Sequence, residues 1–149
     1  METINAKPEK TVCHIGDKAS LSKTFTVNDI AQFAELTLDN NGMHMDPEFA
    51  RRGIFRRPVI HGILVSSLIS SVMGTKLPGQ GAVLQAQNIV YDAPVYPGDT
   101  VTAEVTLTEV EEYPKYYIAT LSGICTNQDG VQVAKAVSKE MMLKRFFEV

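Results

Sequence analysis

The segment Ile63-Leu64-Val65-Ser66-Ser67-Leu68-Ile69-Ser70-Ser71-Val72-Met73 holds no charged residue, and it runs from His61-Gly62 to Gly74. Its length suits a helix, and a helix without a charged face is expected to be buried all round. His61, Gly62 and four serines interrupt the apolar run from Val59 to Met73, which is too short and too polar to span a bilayer. A buried helix needs something to wrap it. Candidate wrappers follow, because Ala82 to Tyr91, Asp99 to Val110, Tyr116 to Thr126 and Val131 to Leu143 read as strands. Thr100 to Leu107 alternates almost without fault, and Pro97-Gly98-Asp99 and Asn127-Gln128-Asp129-Gly130 supply turns.

Upstream, Thr24-Phe25-Thr26-Val27 alternates like a short strand, and Asn28 is placed to cap a helix carrying Ile30, Phe33, Ala34 and Leu36. That helix should end at the turn-formers Asp39-Asn40-Asn41-Gly42. A second start is expected at Asp46-Pro47, with Asp46 as cap and Pro47 at the first helical position, and an end near Gly53. Residues 1–20 are expected to fray or to form an edge strand. One strand, then helices, then four consecutive strands means α+β, with an antiparallel sheet packed on helix. A long apolar helix in the concavity of a curved antiparallel sheet is the hot-dog arrangement. The 149 residues, 44% of them apolar, are enough for a single domain spanning 1–149.

The charge balance, 14 basic against 17 acidic residues, gives no global pull toward nucleic acid or an anionic membrane. Cys13 and Cys125 have no metal-ligand spacing and are expected to be buried and reduced. No glycine-rich phosphate loop or zinc spacing occurs, so neither a cofactor nor a metal is expected. Met1 to Asn5 lacks a basic segment followed by an apolar one, so the expected location is the cytoplasm.

Two features point to chemistry. Asp39 and His44 lie five residues apart in a loop with Asn41 and Gly42, where a carboxylate and an imidazole can work as base and acid on one water. The plainer reading makes Asp39 a turn cap and leaves His44 partly exposed. Next, Arg57-Pro58-Val59-Ile60-His61-Gly62 leads into the uncharged helix. Free N–H groups and a partial positive charge at a helix N-terminus suit an oxygen that becomes negative during reaction. Gly62 would let a ligand approach the backbone, or simply let the helix pack closely on the sheet.

Leu38-Asp39-Asn40-Asn41-Gly42-Met43-His44-Met45-Asp46-Pro47-Glu48-Phe49-Ala50 resembles the catalytic loop of MaoC-like dehydratases, in particular (R)-specific enoyl-CoA hydratases. Arg57 to Leu64, Leu77-Pro78-Gly79-Gln80-Gly81 and Pro94 to Val101 are similar to further motifs of that family, in the same order. The resemblance runs from about Thr24 to the end. It implies that Asp39 and His44 activate a water for addition to a trans-2-enoyl thioester, giving an (R)-3-hydroxyacyl thioester, with dehydration as the reverse. It also implies that the Gly62 N–H stabilises the enolate-like oxygen, that Asn41 supports the loop and water site, and that Ser70 lies near the active site. His61 would border the thioester or support the helix start. The family usually has proline where this chain has Gly42, a departure expected to loosen the loop.

Other readings remain on the same fold: an acyl-CoA thioesterase, or a non-catalytic acyl-thioester-binding subunit. Many hot-dog thioesterases place a carboxylate on the central helix, and Ile63 to Met73 contains none. The expected partners are an acyl thioester, on coenzyme A or an acyl carrier protein, and a second copy of the chain. Arg51, Arg52, Arg56 and Arg57 are candidate phosphate contacts or a solvated face, and Phe146-Phe147 would pack on a partner subunit.

Overall fold

The computed structural model describes residues 9–149, so residues 1–8 of the expected frayed segment lie outside the described residues. Five strands form one antiparallel sheet: β2 (Lys18–Thr24), β3 (Val83–Tyr91), β4 (Thr100–Glu112), β5 (Tyr116–Thr126) and β6 (Gln132–Leu143). Their spatial order is β2-β4-β5-β6-β3, so the two strands that flank the helices in sequence become the two sheet edges. Two short strands, β1 (Thr11–Val12) and β7 (Phe147–Glu148), pair in parallel away from this sheet.

Four helices lie between β2 and β3: α1 (Val27–Thr37), α2 (Gly42–Met45), α3 (Pro47–Arg51) and α4 (Gly62–Thr75). Asp46 caps α3 as expected, its Oδ1 accepting the Glu48 N–H at 2.9 Å. The expected strand at Thr24 to Val27 is displaced: β2 stops at Thr24, Phe25 turns into the core, and Thr26 rather than Asn28 caps α1. The reason is a capping box. Thr26 Oγ1 accepts the Asp29 N–H at 3.2 Å, while Asp29 Oδ2 accepts the Thr26 N–H at 2.8 Å. Such reciprocal bonding satisfies two otherwise orphaned amides, worth about 1 kcal/mol, and Asn28 has no equivalent partner three residues on.

α4 lies across the concave face of the sheet, with Val65, Leu68, Ile69, Val72 and Met73 buried in one core with Val101, Val105, Leu107, Leu121 and Val133. Burying each large apolar side chain contributes about 1.5–3 kcal/mol, so this seam holds the helix in place. The seat is tight at Gly123 on β5, where a Cβ would fall 2.7 Å from Ile69 Cγ2. Two expectations for this helix are corrected. It runs through Gly74 to Thr75, and it is covered on one side only: Ile63 is 62% exposed, and Ser71 and Gly74 are exposed too. Serine hydroxyls make an uncharged open face tolerable, since Ser67 and Ser71 donate back to the Leu64 and Ser67 carbonyls at 2.6 and 3.1 Å.

Cys13 and Cys125 are buried free thiols, and burial pushes Cys125 up to about 11. Phe147 is fully buried in the chain's own core, against the expectation that both terminal aromatics face a partner. The β1–β7 pairing turns it inward and leaves only Phe146 outside. No helix among the described residues is long and apolar enough to cross a membrane.

Candidate active site

α1 ends because Leu38 adopts a left-handed conformation, φ 66°, which turns the chain sharply at Asp39. The following loop is held by its own side chains. Asn41 Oδ1 accepts the Met43 N–H at 3.0 Å and so caps α2, while the Asn41 N–H donates to Asp39 Oδ1 at 3.3 Å. Asn41 therefore shapes the loop, as expected of a supporting residue, and its side-chain oxygen is already committed to the cap. α2, one turn long, carries His44 inward to a half-buried position. There its Nδ1 lies 2.8 Å from the Val59 carbonyl oxygen. A carbonyl only accepts, so Nδ1 carries the proton and Nε2 keeps its lone pair.

His61 comes to the same place from the start of α4. It is buried, its Nε2–H donates to the Asp39 carbonyl at 2.9 Å, and its ring stacks on His44 with centroids 3.9 Å apart. Asp39, His44 and His61 each bring a carboxylate oxygen or ring nitrogen within 4.8 Å of the other two. A tetrahedral water making two hydrogen bonds of ~2.8 Å spans ~4.6 Å between its partners, so a separation within 4.8 Å is compatible with one solvent molecule bridging the acid and the imidazole. Three such groups also have metal-ligand spacing, but the two imidazoles lie within 27° of parallel. Stacked rings direct their in-plane lone pairs side by side rather than at one point, and each ring already spends one nitrogen on a carbonyl. The arrangement suits a water better than a chelated cation.

Beside this cluster opens a cleft of about 240 Å³, lined among others by Met43, His44, Val59, Gly62, Val65 and Tyr91. The exposed Asp39 does not line it and reaches the cluster from the loop. Gly62 is the first residue of α4, and among the described residues no side chain caps that helix end. The amides of its first turn are thus left for an acceptor in the cleft, such as a carbonyl oxygen gaining charge. Gly62 also serves packing, because a Cβ there would sit 3.1 Å from the Tyr91 ring. Tyr91 is in turn fixed by a 2.9 Å bond between its hydroxyl and Ser66 Oγ.

Of the expected site residues, the fold gathers Asp39, His44, Asn41, His61 and Gly62 and leaves Ser70 apart. Ser70 is half-buried on α4, eight residues and therefore about 12 Å along the axis from Gly62, and it does not line the cleft. His61 is too buried, and too fully engaged with Asp39 and His44, to border a thioester. Tyr91 and the Val59 carbonyl were not foreseen. Only the glycine opposite Tyr91 hinted at a close neighbour, and a backbone acceptor leaves no mark in a sequence. The four arginines are exposed, with Arg51 paired to Glu48 and Arg57 lying over the Tyr96 ring at 3.7 Å.

Gly42 has a specific partner rather than merely loosening the loop. A Cβ at this position would lie 2.9 Å from Phe49 Cγ and 3.2 Å from Phe49 Cβ, so the ring occupies the space a side chain would take. Gly42→Ala is expected to destabilise the fold by about 1–2 kcal/mol through overpacking, with most of the loss recovered in the Gly42→Ala/Phe49→Ala double variant. Additive losses in denaturant titrations would show that the two positions do not compete for space.

The chain and its fold are matched by known proteins. A family model described as a MaoC like domain matches residues 7–124, beginning earlier than the Thr24 expected from the motifs and stopping short of β6. The (R)-specific enoyl-CoA hydratase of Aeromonas caviae is 42% identical over 130 residues, covering 87% of this chain and 93% of that protein. A 3-hydroxybutyryl-CoA dehydratase of Methylorubrum extorquens is 38% identical over 117 residues, 78% of this chain and 73% of that one. Among solved structures, the (R)-hydratase from A. caviae superposes with a TM-score of 0.79 at 40% identity, over 86% of this chain and 96% of its own. An R-hydratase from Pseudomonas aeruginosa gives 0.77 at 30% identity, over 88% and 82%. Likeness on that scale extends from the β2 edge through α4 to β5 and includes the Asp39 loop, and with it this chain belongs to the MaoC-like dehydratase family.

Proposed function

We propose that this chain is an (R)-specific enoyl-CoA hydratase, a hydro-lyase that adds water to a trans-2-enoyl-CoA and catalyses the reverse dehydration. Relatives bearing that activity at about 40% identity over most of the chain support the reaction. The observation that carries the residue roles is the meeting of Asp39 and His44 within 4.8 Å beside an uncapped helix end. Asp39 accepts a hydrogen bond from the O–H that the bound water keeps, and holds its oxygen toward C3 of the substrate. His44, with its proton fixed on Nδ1 by Val59, takes the other hydrogen at Nε2 as the C3–O bond forms. Electrons of the C2–C3 double bond move toward the thioester carbonyl, whose oxygen gains negative charge at the Gly62 amide. The imidazolium then returns the proton to C2, so that water is added and nothing else is consumed.

Purified protein should bleach the conjugated enoyl-thioester absorbance of crotonyl-CoA and give the (R)-3-hydroxy product on chiral analysis. Release of free thiol from a saturated acyl-CoA, without bleaching, would instead mark a thioesterase. We read the functional unit as a homodimer. Among the described residues β3 is an unpaired edge on which Val83, Leu84, Val90 and Tyr91 are exposed, and α4 presents the uncharged open face around Ile63. Exposed apolar residues on an open strand edge are a liability that a second copy would cover. Light scattering should accordingly return twice the 16.4 kDa chain mass, and Val90→Lys should shift it toward one.

A further inference from the structure

The hydration chemistry assigns His61 no step, yet this side chain touches both Asp39 and His44. It is 1% exposed. Its Nε2–H donates to the carbonyl of Asp39, 22 residues away in sequence, and its ring lies against that of His44 at 3.9 Å. Phe33 packs on the same imidazole at 4.7 Å. His61 is also the residue from which α4 starts, so its backbone sets where the first-turn amides point.

We propose that His61 is a positioning residue that holds the carboxylate loop, the imidazole base and the helix tip in one register. The claim about geometry stands on the contacts alone, and its kinetic consequence rests on the hydratase reading. A single hydrogen bond at Nδ1 leaves the His44 ring free to tilt about that bond. A flat partner on one face removes that freedom, so the Val59 carbonyl and the His61 ring together fix both the tautomer and the plane of the base. On the acid side, Asp39 follows a left-handed leucine, a conformation that persists only where neighbours enforce it, and the His61 donor grips the next carbonyl. The His61 Nδ1 has no hydrogen-bond partner among the described residues.

Two variants separate the contacts. His61→Gln can keep a donor toward Asp39 but loses the stacking face; His61→Phe keeps the face and loses the donor. Each is expected to lower kcat about 10–100-fold, as displacements of an ångström do, with KM for crotonyl-CoA changed less than about threefold. The activity-independent arm is nitrogen NMR of the imidazoles. The chain has three histidines, and His14, largely exposed on the surface, serves as reference. In the parent and in His61→Phe, His44 should appear as the Nδ1–H tautomer held on the Val59 carbonyl, whereas in His61→Gln, where the ring can tilt off that carbonyl, it should appear as an average of the two forms. Folded variants with parental kcat and an unchanged His44 tautomer would overturn the proposal. A loss confined to KM would do so as well, by making His61 a substrate contact. Should the parent hydrate no enoyl-CoA, the tautomer measurement still decides whether His61 holds the base.

Discussion

Asn in place of Asp39, or Ala in place of His44, is expected to lower kcat/KM for crotonyl-CoA by about 10³-fold or more, with the melting temperature of the Asp39 variant within a few degrees of the parent. The size follows from what each change removes. General base catalysis contributes about 10²–10⁴-fold, and alanine leaves no group at His44 to take the proton from water. Asparagine keeps the shape of Asp39 but removes its charge and replaces one acceptor oxygen with a donor, so the water loses its orientation. Stability should change little in Asp39→Asn because that side chain is exposed and accepts only a loop hydrogen bond. Because both residues act on one water, the double variant should be scarcely worse than either single one. Stopped-flow or steady-state absorbance decides the matter, and a loss below tenfold in either variant removes that residue from the reaction.

Alanine at Gly123 is expected to cost about 2–3 kcal/mol in denaturant unfolding, although the site is a single methyl group and far from the chemistry. Gly123 faces inward from the middle strand, and the new carbon would have to displace Ile69, which is fully buried in the middle of α4. Close-packed interiors do not absorb such an intrusion without off-rotamer side chains or a helix shift. Ile69→Ala alone should cost about 2–5 kcal/mol by leaving a cavity, yet in the Gly123→Ala background it should cost clearly less. A shift of α4 would carry Gly62 with it, so Gly123→Ala is also expected to lower kcat. Additive losses in the cycle would mean that the helix does not bear on Gly123.

Much of the fold was legible because its signals are local. Alternation in Thr100 to Leu107 and the turn at Asn127 to Gly130 fix β4 and the β5–β6 hairpin without reference to the rest of the chain. The helix was recognised from its lack of charge, but its coverage was misjudged, since serine tolerates both a core and an open surface. At the N-terminus, Phe25 and Thr26 alternated like a strand, and only the Thr26–Asp29 capping box revealed the helix start. Within the site, spacing and resemblance single out Asp39 and His44, and the fold brings the two together. The grip of His61 on both, the seat of Phe49 against Gly42 and the placing of Ser70 away from the cleft are contacts across the fold, and no local pattern encodes them.

The bare tip of α4 has a further consequence for the life of the protein. A helix end of this kind gives up roughly 0.5–2 kcal/mol that a serine or aspartate at the cap position would supply. On the proposed reading, an acyl thioester whose oxygen docks on the first-turn amides would supply it, so thioester-loaded protein is expected to resist heat and proteases better than ligand-free protein.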